Sequence, residues 1–167
     1  MPSPHALPAS GIILPFLGGQ TFRLTHRTPQ DGTIERAVTA GHLRLDVSDQ
    51  HTQESRPPCR WVLNTEDAGG TARQDVALDC VADARPLNAL SFHARLSLLF
   101  TDDLTLRFTY RNWRGEVAER AARLVHLWFG ATEYHPDPQW LVNAVDAEKR
   151  ALRDFALRDM SRPRRYP

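Results

Sequence analysis

Twenty of the 21 basic residues in this 167-residue chain are arginine, and the second half sets them among flat side chains. Arg120, Arg153 and Arg158 are interspersed with Tyr110, Trp113, His135 and Trp140. A polyanionic ligand needs that mixture, because a planar guanidinium donates paired hydrogen bonds to phosphate while bases stack on aromatic faces. A GC-rich genome would also enrich arginine, so composition alone speaks to binding only loosely. A second group, Glu133-Tyr134-His135-Pro136-Asp137, is a polar loop with the residue types of a metal site or of an acid and base pair. With no second ligand cluster, no metal or other cofactor is expected, and a small hydrolase using Glu133, His135 and Asp137 is a distant alternative. No nucleophile motif, phosphate-binding loop or dinucleotide fingerprint is present. The expected chemistry is binding, not catalysis.

The elements that carry these residues occur twice. Thr21 to Arg27 reappears as Thr105 to Arg111, 84 positions later, and Glu35-Arg36-Ala37 and His42-Leu43 recur at the same offset as Glu119-Arg120-Ala121 and His126-Leu127. After a connector five residues longer in the first copy, Trp61-Val62-Leu63-Asn64 answers Trp140-Leu141-Val142-Asn143. Asp67, Asp75 and Leu78 then answer Asp146, Asp154 and Leu157. Such a duplication means one small unit used twice. Within each unit, Phe22, Leu24 and His26, and Leu104, Leu106, Phe108 and Tyr110, alternate with Arg and Thr, which predicts half-buried strands. Further strands are expected at Glu119 to Trp128, Trp140 to Asp146 and Leu152 to Leu157. Leu90 to Tyr110 reads as a hairpin, with a helix from Pro86 to Leu99 as its rival. Four or five short strands per copy, punctuated by turns, suit a small barrel.

Length and composition bound the rest. The chain fits one ordinary domain or two very small ones packed together, with neither half secure alone. The expected organisation is a flexible lead over 1–10, repeat one over 11–80, a connector over 81–94, repeat two over 95–160 and a basic tail over 161–167, in which prolines hold Arg162, Arg164 and Arg165 extended. Residues 11–80 carry a net charge of −2 and residues 95–167 a net +3, so the basic face belongs to the second copy. Neither a secretory signal nor a membrane-length apolar run is seen, and Cys59 and Cys80 show no CxxC spacing. A cytoplasmic protein with two reduced thiols is expected.

Copy two contains Tyr110-Arg111-Asn112-Trp113-Arg114-Gly115-Glu116, then Arg120, then Trp140 to Asp146, then Arg153-Asp154-Phe155-Ala156-Leu157-Arg158-Asp159-Met160. In this order, over roughly residues 104 to 160, it resembles the WYL domain, a small Sm-like or SH3-like β-barrel module of bacterial regulators. The family's central Tyr is Leu141 here, its final Leu is Val142, and Leu124 stands where members usually have Pro. In copy one His26 replaces Tyr110, Thr28 replaces Asn112, Gln74 replaces Arg153 and Val76 replaces Phe155, so that copy is expected to be chiefly structural. The resemblance implies a mainly β protein of two tandem barrels packed as a pseudo-dimer, with at most a short helix between or before them. It implies a regulatory or accessory role in transcription, phage defence or DNA-damage responses, through binding of single-stranded nucleic acid or a nucleotide-like ligand. The implied ligand-binding residues are Tyr110, Asn112, Trp113, Arg120, His135, Trp140, Arg153 and Arg158. No helix-turn-helix is visible to read a major groove. A protein-interaction subunit, engaging a partner through Arg and Trp, is the main alternative, and further oligomerisation is compatible with either.

Overall fold

A computed structural model describes residues 12–47, 59–70, 72–87 and 95–166 of the chain. The first copy forms β1 (Ile13–Pro15), β2 (Thr21–Thr28), β3 (Gly32–Val47), β4 (Cys59–Asp67) and β5 (Arg73–Ala77), then a 3-10 turn over Leu78–Cys80 and β6 (Val81–Pro86). The second repeats the series as β7 (Ser97–Leu99), β8 (Thr105–Arg111), β9 (Val117–Gly130), β10 (Gln139–Asp146) and β11 (Ala151–Ala156), a 3-10 turn over Leu157–Asp159 and β12 (Met160–Arg165). The protein is therefore mainly β: two six-stranded antiparallel sheets of identical order, β5-β4-β3-β2-β6 with β1 on β3, and β11-β10-β9-β8-β12 with β7 on β9. Among the described residues there is no helix long and apolar enough to cross a membrane.

Alternation sets the faces as the sequence predicts. Phe22, Leu24 and His26 on β2, and Leu106, Phe108 and Tyr110 on β8, are buried, while the residues between them are exposed or half-exposed. Register within the long strands is broken once per copy, at equivalent places. One extra residue, Gly41 on β3 and Val125 on β9, interrupts pairing with β4 and β10. Such bulges bend a strand and increase its twist. The bend is needed because the outermost strands of each sheet, β5 and β6 or β11 and β12, are linked by only three residues. Five flat strands would place those edges about 19 Å apart, whereas four residue steps reach at most about 14 Å. Each sheet must curl until its edges approach.

Three expectations about the boundaries change. Val81–Pro86 is not a connector but β6, paired with β2 along its length. The end of the chain is not a loose basic tail: β12 pairs with β8, Arg164 bonds to Glu119, and Arg165 Nη2 donates to the Ile13 carbonyl at 2.9 Å. Pro163 is tolerated because β12 is an edge strand and its register shifts there. Among the described residues, Ser97–Leu99 does not pair with β8 as the hairpin expected over Leu90–Tyr110 requires, nor does a helix reach Leu99. Ser97–Leu99 pairs with β9, because β8 covers only Val117 to Arg123 of that long strand and leaves His126 to Trp128 open. Residues 88–94, and the lead over 1–10, lie outside the described residues.

The two sheets meet through equivalent residues. Phe16 pairs with Phe100, 84 positions on, with rings stacked at 4.8 Å. Leu17 N donates to Leu99 O at 2.9 Å, and the equivalent Thr101 N donates to Pro15 O at 3.1 Å. Reciprocal bonds of this kind are the mark of a self-complementary, twofold junction. Buried residues of both copies form one contiguous apolar core across it. Replacing Phe16 or Phe100 with Ala should cost about 3–5 kcal/mol in urea unfolding, and the double variant less than the sum because the two rings touch. Both copies should unfold in one transition; two separate midpoints would contradict a shared core.

Candidate functional site

The turn between β8 and β9 is built by Asn112. Its Oδ1 accepts from the backbone N–H groups of Arg114 and Glu116, both at 2.9 Å, and its Nδ2 donates to the Glu116 carboxylate at 3.0 Å. Gly115 supplies the left-handed backbone the turn requires, at φ 81°. The turn lifts Trp113 into solvent, 61% exposed, with the Arg114 guanidinium 4.9 Å from its ring centroid. A second loop, after β9, is closed by reciprocal backbone bonds between Thr132 and His135, at 2.8 and 3.1 Å. That loop presents Tyr134, 57% exposed, whose ring lies 5.9 Å from that of Trp113 at a tilt of 32°.

Between these loops and the edge strand β11 lies a cleft of about 590 Å³. Six of the eight residues singled out from the sequence line it: Tyr110, Asn112, Trp113, Arg120, His135 and Arg153. Their roles differ. Tyr110 is buried, its ring edge-on to Phe155 at 5.0 Å, and its hydroxyl accepts the Ala156 N–H at 3.1 Å. Burial raises its pKa, so it braces β11 as a neutral phenol and offers no open face for stacking. The polar atoms of Asn112 are likewise engaged in the turn. Arg120 reaches Glu148 at 2.7 Å, not the neighbouring Asp154. Among the described residues, Arg153, exposed on β11, forms no ion pair, and Arg114 lies against Trp113 with no carboxylate partner. These two are the available cations.

Asp154 has a different task. Its carboxylate accepts Trp128 Nε1 at 2.9 Å and Asn143 Nδ2 at 3.1 Å, fixing β11 to β10 and β9. Trp140 and Arg158 are not at this cleft. Trp140 is buried against Phe129, and Arg158 sits in the 3-10 turn; both line a separate cleft between the copies. Trp140 lies at the start of β10 and Arg158 in the turn that follows β11, so both fall at the end of the β10–β11 pair away from Arg153, which sequence spacing does not reveal. Conversely, Arg114 and Tyr134 complete the site without having been selected. Tyr134 lies 21 positions from Trp113, and its only signal was membership of the polar loop.

Among the described residues, copy one lacks the equivalents of three residues of this cleft. Pro29 and Gln30 stand in place of Trp113 and Arg114, Gln74 replaces Arg153, and Arg36, equivalent to Arg120, is bonded to Asp67 and His26. No group of three or more metal-ligating side chains is found among the described residues. Comparison with protein-family models, curated proteins and solved structures finds no match to this chain.

His135, His126, His42 and His26 all have pKa values below the ordinary 6.5, each mainly because burial disfavours the imidazolium. The unfolded chain therefore takes up protons first as the pH drops below 6.5, and folding stability falls with it. The melting temperature should be highest above pH 7 and decline between pH 6.5 and 5, with a shallower decline in His135→Gln. An equally steep decline in that variant would show that His135 does not contribute.

Proposed function

We propose that this chain is a regulatory or accessory protein of the cytoplasm that binds single-stranded nucleic acid, or a nucleotide-like polyanion, in the cleft of its second copy. The observation that carries the reading is the pair Trp113 and Tyr134, both more than half exposed, beside the guanidinium groups of Arg153 and Arg114, which have no carboxylate partner among the described residues. Exposed aromatic rings beside unpaired cations are what a stacked base and its phosphate require. A base would extend the Trp113–Tyr134 stack or displace Arg114 from the indole, and the released Arg114 and Arg153 would meet phosphates. A volume of about 590 Å³ suits a nucleotide or a short strand, not a duplex.

Fold and motif support the same reading. A five-strand order whose opposite edges are tied by a three-residue turn is compatible with a small Sm-like barrel, and the Tyr-x-Asn-x-x-Gly-Glu turn and the Trp140 strand resemble the WYL family. Two WYL-like units packed as a pseudo-dimer, one retaining a ligand surface and one serving as its scaffold, would make a sensing module. The mechanism is binding, with regulation as its output.

Fluorescence anisotropy against labelled single-stranded RNA, single-stranded DNA and duplex DNA, repeated across salt, tests this. Trp113→Ala should weaken single-strand binding by about tenfold, as loss of one stacked base predicts. Arg153→Ala should weaken it and flatten the slope of log K against log salt by about 0.7, while Gln74→Ala should change nothing. Unchanged affinity and slope in Arg153→Ala, or no binding at low salt, would overturn the proposal. Binding to another protein that persists in high salt would point to an interaction subunit instead.

A further inference from the structure

The cleft that receives Trp140 and Arg158 lies between the copies and has a volume of about 530 Å³. It is lined in pairs by equivalent residues, Trp61 with Trp140 and Leu78 with Leu157, so both copies supply the same apolar walls. Charge breaks the symmetry. On the first copy's side Arg60 and Asp79 neutralise each other, with Nη2 of Arg60 at 2.9 Å from the carboxylate. On the second, the same positions are Gln139 and Arg158, and Arg158 is exposed and forms no ion pair among the described residues. A twofold apolar slot thus carries one uncompensated cation at its mouth.

We infer that this cleft is a second binding site, for a small flat aromatic anion whose rings lie between the two tryptophan-bearing walls and whose carboxylate or sulfonate meets Arg158. Apolar walls with one well-placed charge are the usual makeup of small-molecule sites, and the volume is within their range. The site is separate from the Trp113 cleft, and its ligand touches both copies at once. Phosphate recognition is not required, because aromatic area supplies the affinity and the single cation selects the sign of the charge.

The test uses the intact protein and two probes of the same shape, 8-anilinonaphthalene-1-sulfonate and its uncharged parent N-phenyl-1-naphthylamine. The sulfonate should saturate at one molecule per chain. In ¹H–¹⁵N spectra it should shift the indole N–H signals of Trp61 and Trp140 and leave that of Trp113 in place. Arg158→Ala should weaken the sulfonate about tenfold, the size expected for one charge-assisted contact, and leave the uncharged probe unaffected. Trp113→Ala should alter neither, which separates this site from the one proposed above. Non-saturating binding, shifts confined to Trp113, or equal effects of Arg158→Ala on both probes would each overturn the inference. Arg158 is exposed, so its replacement leaves the fold intact.

Discussion

Three residues, Leu78–Cys80 in the first copy and Leu157–Asp159 in the second, tie together the outermost strands of each sheet, and a flat ladder of five strands cannot be tied at that length. Curling follows, and the bulges at Gly41 and Val125 supply the bend it requires. Both clefts descend from this constraint. Curling brings β11 toward the turn that carries Trp113, so an edge strand becomes the floor of one cleft. It also turns Leu78 and Leu157 toward the other copy, where they become walls of the second.

The curled sheets are joined where each is least protected. Strands β1 and β7 are three residues long and would be weak alone, yet each lies on the open half of a long strand and bonds to its own counterpart around Phe16 and Phe100. Burying these rings against each other converts two marginal units into one core, as expected for halves too small to stand securely. The β12 strand reinforces the joint, since Arg165 bonds to Ile13 of the other copy.

The copies have diverged around a retained framework. Asp75 and Asp154 occupy the same place and accept from the same asparagine position, Asn64 and Asn143. The third partner differs: Arg44 in copy one is a charged donor at 2.9 Å, whereas Trp128 in copy two is an uncharged donor at the same distance. Arg36 is anchored by Asp67 and His26, while Arg120 leans outward to Glu148. Arg23, Arg36, Arg44, Arg60 and Arg85 of the first copy each pair with a carboxylate. The second leaves Arg114, Arg153 and Arg158 without carboxylate partners among the described residues.

Period-two alternation was enough, by itself, to assign strands and faces. Phe22, Leu24, Phe108 and Tyr110 point inward because neighbouring side chains in a strand must point oppositely, and the 84-residue register showed that one unit is used twice. The turn at Arg114-Gly115 was legible because turn chemistry is local, but Asn112, expected to bind ligand, is the residue whose side chain builds it. Strand partners were not legible, because pairing is non-local. Nothing near Val81 or Met160 says that those segments close the sheets, and nothing near Ser97 says that it joins β9 instead of β8. The division of Arg153 and Arg158 between two clefts, five positions apart in sequence, was likewise decided only by the turn between them, which takes the chain from one edge of a curled sheet to the other.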